Sequence, residues 1–206
     1  MASSNNQKIN KVKINEAILR SDIDTLTIKT LRDIINIRKN TTLFPVINRL
    51  IKDGILKRLE SNKYIIPSKN PSRFLIANFL HEPSYISFES ALNFHGILSQ
   101  FPSEITSATI RKTRNKEIDS ILYSYSHIAE DLFWGYEKRN GFLIAFPEKA
   151  LLDQIYLSTN GKKQIDIHEY DLSNINKGRF QEYLNNIKLG KTKDKISEIV
   201  KTNKIL

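Results

Sequence analysis

Apolar residues recur at helical spacing three times within the first 55 positions. Ile14, Ala17 and Ile18 flank Asn15 and Glu16 at i, i+3, i+4 spacing, which predicts a short amphipathic helix ending near Arg20. Thr27 is placed to cap a second helix with Ile28, Leu31 and Ile35 on its apolar face, and a polar turn over Asn36 to Asn40 follows. The third pattern predicts a helix capped by Thr42, with Pro45 in its first turn and Gly54 closing it. Its apolar face is Leu43, Ile47, Leu50 and Ile51, which leaves Thr41, Asn48, Arg49 and Lys52 pointing outward. The period then shortens to that of strands. Ile55 to Leu59 and Lys63 to Ile66 read as a hairpin joined by Glu60-Ser61-Asn62, where Asn62 tolerates positive φ.

Pro67 to Pro71 interrupts the pattern and predicts a boundary, giving a first domain over 1–69 and a second over 70–206. Beyond it, Asn70-Pro71 opens a helix through Phe74, Ala77 and Leu80. Ser87 caps another, with Phe88, Ala91, Leu92 and His95 on one stripe and Gly96 as its stop. Strands are expected at Ile105–Ile110, Ile121–Ile128, Leu132–Glu137 and Phe142–Phe146, and a helix from Pro147 through Tyr156. Two final helices run from about Asn176 to Ile187 and from Asp194 to Lys204. The expected fold class is α+β: a helix-helix-helix-hairpin unit, then helices around a small mixed or antiparallel sheet with a helical tail.

Charge sharpens this division. The 206 residues carry a formal charge of +10, with net +8 in residues 1–70, −3 in 71–176 and +5 in 177–206. Three helices and a hairpin bearing cations on the last helix and the hairpin follow the plan of a winged helix-turn-helix, which lays its third helix in the major groove. Thr41, Thr42, Asn48, Arg49, Lys52, Lys57, Arg58 and Lys63 are the candidate DNA-binding residues. Asn48 and Arg49 suit adenine and guanine edges; Lys52, Lys57, Arg58 and Lys63 suit phosphates. A loop over Arg111-Lys112-Thr113-Arg114-Asn115-Lys116 is a second candidate contact, through Arg111, Lys112, Arg114 and Lys116, with Tyr123 and Tyr125 as nearby stacking candidates.

Other chemistries lack their residues. With no Cys and four scattered His, no thiolate or short-spaced metal site is expected. Gly190-Lys191-Thr192 resembles the end of a phosphate loop, but Asn185 stands where its first Gly belongs. Glu117 with Asp119, and Glu130 with Asp131, are read as solvated turns rather than Mg²⁺ ligands. Ser87 has no Gly-x-Ser-x-Gly elbow. The expectation is a non-enzyme without cofactor or metal. No apolar run approaches the roughly 20 residues of a membrane span, and the polar N-terminus lacks an apolar leader. A cytoplasmic location follows as an expectation.

Two stretches carry a further resemblance. Tyr85-Ile86-Ser87-Phe88-Glu89-Ser90-Ala91-Leu92-Asn93-Phe94-His95-Gly96-Ile97 with Pro102, and Phe142-Leu143-Ile144-Ala145-Phe146-Pro147-Glu148-Lys149-Ala150-Leu151-Leu152-Asp153, resemble the AbiEi-type antitoxins of type IV toxin–antitoxin (abortive infection) systems. Gly54 to Leu59 up to Tyr64 looks like that family's wing, although Asn62-Lys63 stands where Gly before the Tyr is expected. The resemblance covers residues 10 to 160. It implies a transcriptional autorepressor that binds operator DNA; repressors of the winged-helix plan usually work on paired half-sites, so a dimer on an inverted repeat is expected. The resemblance further implies an antitoxin counteracting a nucleotidyltransferase toxin without a stable complex. A solitary DNA- or RNA-binding regulator and a metal-dependent nuclease are the alternatives.

Overall fold

The computed structural model describes residues 11–159, 161, 165–188 and 190–205. The chain divides into two compact units, Met1–Ser72 and Arg73–Leu206. Both mix helices and strands, so the protein is α+β.

The first unit runs α1 (Lys11–Arg20), β1 (Thr25–Thr27), α2 (Ile28–Ile35), α3 (Asn40–Lys52), β2 (Lys57–Glu60) and β3 (Lys63–Ile65). Its antiparallel sheet has the order β1-β3-β2. The helices pack their apolar stripes together, with Ile18, Leu31, Leu43, Ile47 and Leu50 fully enclosed alongside Leu26 and Tyr64. Thr27 caps α2 as the sequence predicts, its Oγ1 accepting the Thr30 N–H at 3.2 Å. The start of α3 differs from expectation. The helix begins at Asn40 behind Lys39, whose side chain makes no cap hydrogen bond, so Thr42 lies inside the first turn. Pro45 is therefore the sixth residue, not part of an N-terminal turn, and the Thr41 carbonyl lacks the N–H four residues on that would complete its helical bond. The hairpin turns at Asn62 with φ 65°, the left-handed geometry for which its short polar side chain is suited.

The second unit contains α4 (Arg73–Leu80), β4 (Ser84–Ile86), α5 (Phe88–Phe94), β5 (Glu104–Thr109), β6 (Arg114–Ile118), β7 (Ile121–His127), β8 (Tyr136–Arg139), β9 (Phe142–Ala145), α6 (Pro147–Thr159), α7 (Lys177–Asn185) and α8 (Gly190–Thr202). Its six-stranded mixed sheet has the order β6-β7-β5-β4-β9-β8, with β5/β7 and β4/β9 parallel. The basic tail is part of this unit: α7 and α8 pack on α6 and bury Phe180, Leu184, Ile196 and Val200. Gly190-Lys191-Thr192 is the start of α8, not a loop after a strand.

Three sequence expectations change here. The strand expected over Leu132–Glu137 is a 3-10 turn at Glu130–Leu132 followed by β8. Arg114 and Lys116 lie not in a loop but in β6, which pairs antiparallel with β7 through a turn at Asp119-Ser120, both at positive φ. Tyr123 and Tyr125 are each 1 % exposed, and the Tyr125 hydroxyl donates to the Ala77 carbonyl at 2.7 Å, which removes both as stacking surfaces for a base. No helix among the described residues is long and apolar enough to cross a membrane.

Candidate nucleic-acid interface

Burial of Leu43, Val46, Ile47 and Leu50 fixes the rotation of α3. Thr41, Asn48 and Lys52 consequently lie exposed on its opposite side, and Thr42 is partly covered. Arg49 does not project freely. Its side chain is 22 % exposed and leans toward Asp53, with Nε 3.9 Å from Oδ2. Its Nε and Nη2 are shielded from solvent and have no hydrogen-bond acceptor among the described residues. A guanidinium with unmet donors, held by one long ionic contact, can turn outward to an acceptor such as a base edge at small expense.

The hairpin contributes unevenly. Arg58 is exposed, with its guanidinium 5.5 Å from the centroid of the Tyr64 ring, which positions the cation without neutralising it. Lys57 is half-buried. Lys63 pairs with Glu60 at 3.1 Å, so a phosphate contact by Lys63 competes with that carboxylate. A cleft of about 360 Å³ joins the two elements and is lined by Ile28, Phe44, Arg58, Ser61, Asn62 and Tyr64. Phe44 of α3 and the hairpin residues Arg58, Ser61 and Asn62 thus open onto one depression, and Arg58 is the charged group among its lining residues.

The secondary cluster lies in the other unit. Arg111, Lys112 and Arg114 are exposed and Lys116 half-buried, along and just before the edge strand β6. Cations on a sheet edge also discourage strand addition by another chain. Glu130 and Asp131 lie in a 3-10 turn and Asp119 in the β6–β7 turn, while Glu117 lies in β6 rather than in the turn expected for it, and no group of three or more His or acidic side chains among the described residues could hold a metal ion.

Sequence reasoning missed a buried polar cluster in the second unit. Lys149 and Asp153 lie one turn apart on α6, 0 % and 1 % exposed, and form an ion pair. The Asp153 Oδ2 accepts the Tyr85 hydroxyl at 2.8 Å and the Ser87 hydroxyl at 2.7 Å, while Lys149 Nζ donates to the Tyr85 oxygen at 2.9 Å. Ser87 therefore occupies the cap position of α5 but spends its hydroxyl on Asp153. The ammonium also stands 5.1 Å from the Trp134 ring centroid, and a Cβ on Gly135 would meet Lys149 Cγ at 2.9 Å. Burial lowers the Lys149 pKa, with Asp153 opposing the shift, and raises that of Tyr85 well above its ordinary value, with Asp153 adding to it. Enclosed on all sides, these groups have no route to a substrate; they join β4, the start of α5 and α6. His95 likewise is structural: its Nε2–H donates to the Ala145 carbonyl at 2.8 Å, and burial lowers its pKa. The signal for the cluster was the i, i+4 spacing of Lys149 and Asp153 around the apolar Ala150-Leu151-Leu152.

No protein-family model matches the chain, and no curated protein sequence matches it.

Proposed function

We propose that the protein is a DNA-binding autorepressor and antitoxin of a type IV toxin–antitoxin system. The first unit is read as a winged helix-turn-helix, with α2 and α3 as the helix pair and β2–β3 as the wing. The observation that carries the reading is the shared cleft: Phe44 of α3 and the hairpin residues Arg58, Ser61 and Asn62 line one depression with no carboxylate among its lining residues. The excess of cations in residues 1–70 supports it as well. In this reading α3 enters the major groove, Asn48 takes an adenine edge, and Arg49 turns from Asp53 to a guanine. Lys52, Lys57 and Arg58 hold phosphates on either side, and Lys63 does so after release from Glu60.

The antitoxin part rests on the resemblance of the Tyr85–Ile97 and Phe142–Asp153 stretches. Its support is that Tyr85, Ser87, Lys149 and Asp153, all drawn from those stretches, are joined in one buried network. The second unit would then counter a nucleotidyltransferase without a stable complex, and the protein would act as no enzyme itself.

The test uses the full chain and DNA upstream of its own reading frame. A retarded complex is expected, with log K falling against log salt by about 0.9 per phosphate contact. Arg49→Glu with Lys52→Glu abolishes it; unchanged binding by that variant removes α3 from the interface. For the antitoxin part, co-expression restores growth to cells making the neighbouring nucleotidyltransferase. Continued arrest would leave the repressor reading standing alone.

A further inference from the structure

Resting on the DNA-binding reading above, we propose that Phe44 reads thymine, with its exposed ring taking the C5-methyl group of a base pair in the major groove. Phe44 is 41 % exposed in the middle of α3. It shares a stripe with Thr41, Asn48 and Lys52 at i, i+3, i+7 and i+11 spacing, whereas Leu43, Val46, Ile47 and Leu50 supply the core contacts of this helix. The core therefore gives no reason for an aromatic residue at this position.

Its surroundings select the occupant. The cleft it lines has an apolar floor of Ile28, Phe44 and Tyr64 and a polar rim of Arg58, Ser61 and Asn62, with no carboxylate among the lining residues. An apolar floor under a cationic rim complements a polyanion that presents apolar groups between its charges. DNA does so in the major groove, where the thymine methyl is the one apolar feature among the base edges. Asn48, one turn along, faces the same groove floor and suits the adenine of the same or the next pair, so Phe44 and Asn48 together select an A·T step.

The experiment replaces thymine by uracil, which deletes the methyl and keeps every Watson–Crick and groove hydrogen-bonding group. Operator duplexes are made from the footprinted upstream DNA with uracil at one thymine at a time, and affinities are measured by anisotropy. The wild-type protein is expected to lose about fourfold in affinity at one or two positions, the worth of one buried methyl. Phe44→Ala is expected to bind more weakly and to show no difference between thymine and uracil there, while Phe44→Leu keeps the difference. The exposure of Phe44 makes both variants compatible with the fold, and thermal unfolding of each checks it.

Uracil insensitivity of the wild type overturns the inference, as does a Phe44→Ala variant that retains the full discrimination. Weaker binding by Phe44→Ala with unchanged uracil sensitivity and a lower sedimentation mass on DNA assigns Phe44 to a contact between two copies instead. Failure of the wild type to bind any of the duplexes overturns the DNA-binding reading itself, and that result is distinguishable from the others.

Discussion

At the scale of single residues, the second unit depends on a lysine shut off from water in the folded state. Lys149 and Asp153 compensate each other, and Tyr85 and Ser87 complete the carboxylate's hydrogen bonds. Removing one member strands the other in a medium that solvates it poorly. Lys149→Met is therefore expected to lower stability by about 3–5 kcal/mol. Tyr85→Phe, which deletes a hydroxyl that serves both charges, is expected to lower it by about 1–3 kcal/mol. Urea unfolding followed through Trp134, the single tryptophan, measures both in the unit that holds them. Losses under about 1 kcal/mol for Lys149→Met would show that the pair relaxes toward solvent. These roles were not legible in the sequence. Lys149 and Asp153 show as i, i+4 neighbours, but the partners that make their burial tolerable stand 64 to 68 residues away. The exposed face of α3 was legible, because its four buried apolar residues are local in sequence. Arg49 was less so, since Asp53 draws it along the helix.

Among the elements, α3 begins without a side-chain cap. Lys39 occupies the cap position, exposed, and places a cation at the positive end of the helix dipole. Lys39→Asp is expected to stabilise the first unit by about 0.5–1.5 kcal/mol, read as a raised urea midpoint in circular dichroism. A neutral or lowered midpoint would mean that the first turn frays in either form. The sequence pattern placed the start three residues late, because Thr42 is a better cap by chemistry than Lys39 and Pro45 then suits a first turn. Amphipathic elements such as α2 were legible from periodicity. The three-residue strands β1 and β4 were not, since alternation over three positions carries no period. The edge strand β6 was hidden by its charges: only Lys116 and Ile118 in Arg114–Ile118 turn partly inward.

For the whole molecule, the strongest pH dependence lies in the alkaline range. Burial is the first cause that raises Tyr85, Tyr123, Tyr170 and Tyr183 above the ordinary phenol range, Tyr170 to about 12. A group whose folded pKa is raised contributes stability that is fully present below its unfolded value, near 10 for tyrosine, and is lost as pH rises through the folded value. Lys149 has the opposite sign: its lowered folded pKa adds stability as pH rises toward the unfolded lysine value. One lysine stands against four tyrosines. The urea midpoint of the second unit is therefore expected to hold to about pH 10 and to fall between about 10 and 12. Phenolate absorbance should show part of the eight tyrosines titrating only as the fold is lost. A midpoint unchanged at pH 11.5 would mean that the buried phenols ionise in place.

The enclosure of Lys149 also makes it a clock. Acylating reagents modify lysine amines at a rate set by their access to solvent, and Lys149 is the one lysine in the buried set among the described residues. In a mixture of intact molecules, the surface lysines react first with a mild acetylating reagent, while Lys149 waits for α6 to separate from β4. Mass spectrometry of the peptide spanning Glu148 to Asp153 then counts openings of the second unit one covalent mark at a time. It does so in native buffer, without denaturant. Each mark removes the charge that Asp153 needs, so a molecule that has opened once and been acetylated cannot close as it was.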